Sequence, residues 1–163
     1  MRFYKAFGFS FILLLLCYAI SYGQYKVFIQ STAEDNIGTR LVYQIKESIR
    51  ASHSMVLWPI EDSSFVQIRI ATLDPDNNGV STVYSIVWTV SQPPNSSTIY
   101  LSNMVGTCGI NKINSVAETL VADTDNLISQ FVATFATLME LLKQAKQAPQ
   151  SPPSNAQQYP GGQ

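Results

Sequence analysis

FVQIRIATL (residues 65–73) and STVYSIVWTV (residues 81–90) set the architecture of the chain. Val66, Ile68 and Ile70 alternate with Gln67 and Arg69, and a period of two belongs to a strand with one buried face. In the second stretch Tyr84, Ile86, Trp88 and Val90 mark the buried side. Between them Asp74-Pro75-Asp76-Asn77-Asn78-Gly79 is dense in turn-forming residues, so the two strands are expected to pair as neighbours. Gln92–Ser97 makes the next turn. Thr98–Val105 follows as a third strand, with Ile99 and Leu101 on its apolar side. Three alternating strands joined by turns predict an antiparallel meander.

Upstream, Tyr25–Gln30 is rich in β-branched and aromatic residues and reads as a first strand. Ser31, Thr32 and Asp35 offer oxygens for a helix N-cap. Ile37, Leu41, Ile45 and Ile49 then recur every four residues, with Val42 widening the stripe, which predicts a helix to about Ser52. Met55–Trp58 is a short or edge strand stopped by Pro59. Downstream, Ser115 and Glu118 have capping-box spacing. Val116, Leu120, Leu127, Phe131, Phe135, Leu138 and Leu142 trace a second helix. Asp123, Thr124 and Asp125 are poor helix formers within it and predict a bend or an exposed face. The expected fold is therefore a single α+β domain of order β-α-β-β-β-β-α. Its mixed or mostly antiparallel sheet has about five strands, with two helices on one face.

Residues 1–23 have the three parts of a cleavable signal peptide: Arg2 and Lys5, an apolar run from Phe7 to Ala19, and small residues at Ser21 and Gly23. The run is shorter than the roughly 20 apolar residues of a membrane span. Cys17 follows Leu16, not the small residue that lipid attachment requires, so no stable membrane anchor is expected after cleavage. The domain is then 24–146, and 147–163 is a Pro- and Gln-rich tail read as disordered. The expected location is periplasmic or secreted. Cleavage takes the net charge from −1 to about −3. A mildly acidic chain without a basic cluster is not built for nucleic acid. One cysteine, Cys108, remains, so no internal disulfide is available and apolar burial must hold the fold.

The string LVYQIKESIRAS, the strand FVQIRIATL, the hairpin into STVYSIVWTV, the strand STIYLS and the closing amphipathic helix together resemble a group of small envelope domains. These are the α/β domains of the curli secretion channel subunit, of the penicillin-binding-protein activator lipoproteins, and the amino-terminal domain of the Tol-Pal protein TolB. The resemblance covers roughly residues 25–142. It implies a periplasmic interaction module with an envelope protein as partner, not an enzyme.

Three local features bear on chemistry. Asp74, Asp76, Asn78 and Gly79 match the opening of a calcium loop, although the twelfth position is Ser85 where a bidentate Glu belongs. A polar turn explains the same residues, and a small-ligand or calcium-binding domain is the alternative. Cys108 and the single histidine, His53, would make a thiol-dependent enzyme only if the fold brought them together. Tyr84, Trp88 and Tyr100 lie on adjacent expected strands; uncovered, they would form an aromatic partner surface, and covered, they are core. No catalytic residue, metal ligand set or cofactor motif stands out. The leading reading is an exported accessory or protein-interaction module.

Overall fold

A computed structural model describes residues 23–92 and 97–147. The expected signal peptide (1–23) and the expected tail (147–163) lie almost wholly outside the described residues. Strands β1 (Tyr25–Ala33), β2 (Met55–Leu57), β3 (Val66–Leu73), β4 (Ser81–Gln92) and β5 (Ser97–Gly109) form one sheet of order β2-β1-β3-β4-β5. Helix α1 (Asn36–Arg50) connects β1 to β2, and α2 (Ile113–Gln147) follows β5. The pairs β1–β2 and β1–β3 are parallel; β3–β4 and β4–β5 are antiparallel. The described residues thus form an α+β fold with a mixed sheet and two α-helices. It divides into two compact units between Ser129 and Gln130.

In the first unit one sheet face is the core. Val27, Ile29, Val66, Ile68, Ile70, Ile86, Trp88 and Val90 are buried there, as are Ile37, Leu41, Ile45 and Ile49 of α1. Ile113, Ala117, Leu120, Thr124 and Ile128 are the buried residues of the first turns of α2. Fully burying one such aliphatic side chain contributes about 1.5–3 kcal/mol, so this layer is the main source of stability where, among the described residues, the one cysteine, Cys108, is free.

Asp35 starts α1 as its N-cap, accepting from Gly38 N–H at 2.6 Å with Oδ1 and from Thr82 Oγ1 at 2.8 Å with Oδ2. The cap therefore also ties the helix to β4. Gly38 lies so close to β3 that a Cβ there would meet Thr72 Oγ1 at 1.8 Å. That contact explains a glycine in the first turn of an otherwise good helix.

Two local expectations are corrected. Asp123, Thr124 and Asp125 do not interrupt α2, which runs through them unbroken. Thr124 Oγ1 donates back to the Leu120 carbonyl and accepts from Trp88 Nε1 at 2.8 Å, while Asp125 Oδ1 accepts from Ser54 Oγ at 2.6 Å. Tertiary hydrogen bonds here outweigh weak helix propensity. Ser115 also does not cap α2; it sits inside the helix and donates to the Lys112 carbonyl.

Candidate functional site

The hydrogen bond from Trp88 to α2, the contact of Gly38 with Thr72 and the tie from Thr82 to Asp35 all involve one sheet face. Side chains alternate across a strand, so the residues between them point the other way. The opposite face carries Leu73, Val83, Ser85, Val87 and Thr89 on β3 and β4, with Tyr100, Asn103, Val105 and Thr107 on β5. Antiparallel strands tolerate one solvated face. This one is less polar than a purely solvated face requires. Leu73 is 55%, Tyr100 59% and Val105 70% exposed, and Leu73 stands directly opposite Val83. Val105 lies opposite Ser85, diagonal to both Val83 and Val87. The result is a continuous apolar patch, bordered by Arg69 and the buried Gln67–Ser91 hydrogen bond of 2.9 Å.

β5 also forms one edge of the sheet. Its thirteen residues include no charge and no proline, the usual devices that stop an edge from pairing with another chain. One irregularity interrupts it. Trp88 pairs with Ser102 but Thr89 pairs with Tyr100, leaving Leu101 as the extra residue of a bulge.

Of the two readings of the aromatic residues, core holds for Tyr84 and Trp88, and the bulge parts Tyr100 from them. Tyr84 and Trp88 are buried in the core. Tyr100 would share their face under strict alternation, and the extra residue turns it to the opposite one. The three rings therefore do not meet; only Tyr100 is available to a partner. The apolar members of the exposed patch, Leu73, Val83, Val87 and Val105, were not singled out from the sequence. The signal was present in the odd-numbered apolar residues of β4, overshadowed by the stronger even-numbered set.

The 74–79 segment is the β3–β4 turn. Asp74 accepts from its own loop, from Asp76 N–H at 3.1 Å and Gly79 N–H at 2.7 Å, and Asn78 Oδ1 accepts from Val80 N–H. Asn77 and Gly79 adopt positive φ, as tight turns of Asn and Gly do. The Asp74 oxygens are thus directed at backbone N–H groups, with Asp76 and Asn78 exposed. No group of three His, Cys, Asp or Glu residues able to hold a metal forms among the described residues.

Cys108 is fully buried in β5, its thiol 3.6 Å from the Gly109 carbonyl oxygen. Burial pushes the thiol pKa up, with a smaller push from the Asp35 carboxylate, which favours the neutral form over the thiolate a nucleophile needs. His53 is exposed and lines a cavity of about 600 Å³ with Ser52, Ser54, Glu118 and Asp125; no hydrogen bond joins it to Cys108. Burial also raises the Tyr84 hydroxyl pKa, helped by Cys108 and Asp123. For Asp35 burial acts upward, but the Gly38 N–H and Thr82 hydroxyl outweigh it and hold the carboxyl below its ordinary value. Thr72 and the Ile37 N–H add to this, the Thr72 hydroxyl without a well-formed hydrogen bond.

No family model and no curated protein matches the chain. Several solved structures resemble it. A hypothetical protein of Chlamydia trachomatis, CT253, is 8% identical at TM-score 0.39, over 69% of this chain and 96% of that one. A PelC dodecamer from Paraburkholderia phytofirmans is 14% identical at TM-score 0.39, over 62% and 82%. Rare lipoprotein B from Shewanella oneidensis is 12% identical at TM-score 0.33, over 70% and 98%. At these scores the likenesses bear on neither activity nor partner. No helix among the described residues is long and apolar enough to cross a membrane.

Proposed function

We propose that this chain is an exported, non-enzymatic accessory module that docks an envelope protein on its uncovered sheet face and the adjoining β5 edge. The observation that carries the reading is the coincidence of the Leu73–Val83–Val105–Tyr100 patch with an uncharged edge strand of thirteen residues. A partner strand added to β5 would satisfy the backbone groups of that edge and lay its alternate side chains across the patch. Tyr100 supplies a large, half-rigid anchor of the kind enriched at interface centres. The signal-peptide pattern and the resemblance to envelope interaction domains support an extracytoplasmic setting.

The test is site-specific photocrosslinking in cells of the source organism. A photoreactive phenylalanine is placed at Val105 or Tyr100, and as control at Tyr43, which is equally exposed on α1. A discrete adduct from the two sheet positions, absent from Tyr43, is the expected result. Equal labelling at all three, or adducts from Tyr43 alone, would refute the assigned surface.

A further inference from the structure

The other edge of the sheet has different chemistry. The β1–β2 register ends at Val27–Leu57, after three residue pairs, because Pro59 follows and the chain turns away. β1 continues to Ala33, so beyond Val27 its strand neighbour among the described residues is on the β3 side only. A cavity of about 530 Å³ sits at this notch, with a floor of Phe28, Ile29, Leu57 and Trp58. Both charged side chains that line it, Lys46 and Arg50, are cationic. Arg50 pairs with the exposed Glu47, whereas Lys46 makes no ion pair among the described residues. A third cation, Lys26, places its ammonium 4.0 Å from the centre of the Trp58 ring. The ring is fixed from its other end, since Trp58 Nε1 donates to Ser63 Oγ at 2.7 Å.

We propose that this notch binds an extended acidic segment of a partner protein, which continues the sheet alongside β2 and β1. Three features select that occupant. The open backbone of β1 calls for a strand. The cationic rim calls for carboxylates. The spacing calls for carboxylates at alternate positions: Lys46 and Arg50 are one helical turn apart, about 6 Å along α1, and alternate residues of a strand are separated by about 6.8 Å. An Asp or Glu at every second position therefore meets each cation in turn. Intervening apolar side chains point to the other sheet face, where Lys26 and Trp58 stand.

The experiment titrates the full mature chain with two blocked heptapeptides, TEVEVET and its counterpart TKVKVKT, followed by amide chemical-shift mapping. TEVEVET is expected to bind at least tenfold more tightly, to weaken as salt screens the attraction, and to shift the amides of Phe28–Gln30 together with the Trp58 indole. The variant Lys46→Glu/Arg50→Glu, checked for native circular dichroism, is expected to reverse the preference. Should that variant not fold, Lys46→Gln alone is expected to lower affinity severalfold. Val105→Lys, on the opposite edge, is expected to leave TEVEVET binding unchanged, which separates this site from the β5 surface. Equal affinity for the two peptides, shifts confined to β5, or insensitivity to both charge variants would overturn the proposal.

Discussion

Replacing Gly38 by alanine is predicted to destabilise the domain, against the usual sign of that change in a helix. In an exposed helix interior, Gly→Ala stabilises by about 1 kcal/mol, because alanine loses less backbone freedom on folding. Here the new Cβ would stand 1.8 Å from Thr72 Oγ1, 2.5 Å from Thr72 Cβ and 2.7 Å from Asp35 Oδ2. None of these atoms ends a long flexible chain. Thr72 is a buried strand residue, and Asp35 is held by Gly38 and Thr82. Room is made only by lifting the first turn of α1 off β3 or by loosening the cap. Overpacking of this kind costs about 1–3 kcal/mol and a weakened cap about 1 kcal/mol. The net loss is about 1–3 kcal/mol after the propensity gain, a fall of roughly 3–10 °C in melting temperature for a domain of this size. Thermal and urea unfolding followed by far-ultraviolet circular dichroism measures it. Thr72→Ala removes the nearest contact but leaves Cβ, so the double variant should recover part of the loss, not all of it. A Gly38→Ala protein that melts at or above the wild-type temperature would refute the close-approach argument.

Further predictions concern the cap, the tryptophan and the thiol. Asp35 has a lowered pKa, so its charge adds stability that is complete above the unfolded value of 3.8 and is lost as pH falls through the folded one. Asp35→Asn keeps a capping oxygen but not the charge; urea midpoints should differ most at neutral pH and converge in strong acid, and a constant difference across that range would contradict the assignment. Trp88→Phe removes the hydrogen bond to Thr124, whose hydroxyl keeps its bond to the Leu120 carbonyl. A loss of about 1–2 kcal/mol from the missing bond and volume is expected in equilibrium denaturation, and an unchanged midpoint would show that the indole N–H contributes nothing. Cys108, buried and with its pKa raised, should resist a thiol reagent in the native state at pH 8 and react fully in denaturant. Labelling of the folded protein at the rate of a free thiol would place it at the surface instead.

Periodicity was enough for the existence and inward faces of the main strands and of α1. The alternation of Val66, Ile68 and Ile70, and of Tyr84 to Val90, specified strands and their buried sides, because a strand shows its two faces to different solvents at every second residue. The spacing of Ile37, Leu41, Ile45 and Ile49 specified α1 and its inward stripe for the same reason at a period of 3.6. The turn at 74–79 was legible from its Asp, Asn and Gly residues, whose side chains satisfy the loop backbone.

Features that depend on partners distant in the chain arise only once the strands and helices pack together. Placing β2 beside β1, and so leaving the cationic notch, rests on a parallel pairing across a helix. Carrying α2 through Asp123–Asp125 rests on hydrogen bonds to Trp88 and Ser54, which no propensity within the helix contains. Turning Tyr100 to the open face rests on one unpaired residue, Leu101, whose position is set by how β4 and β5 align. A strand's own period cannot encode an extra residue in its pairing, since the bulge exists only once a neighbour supplies the register.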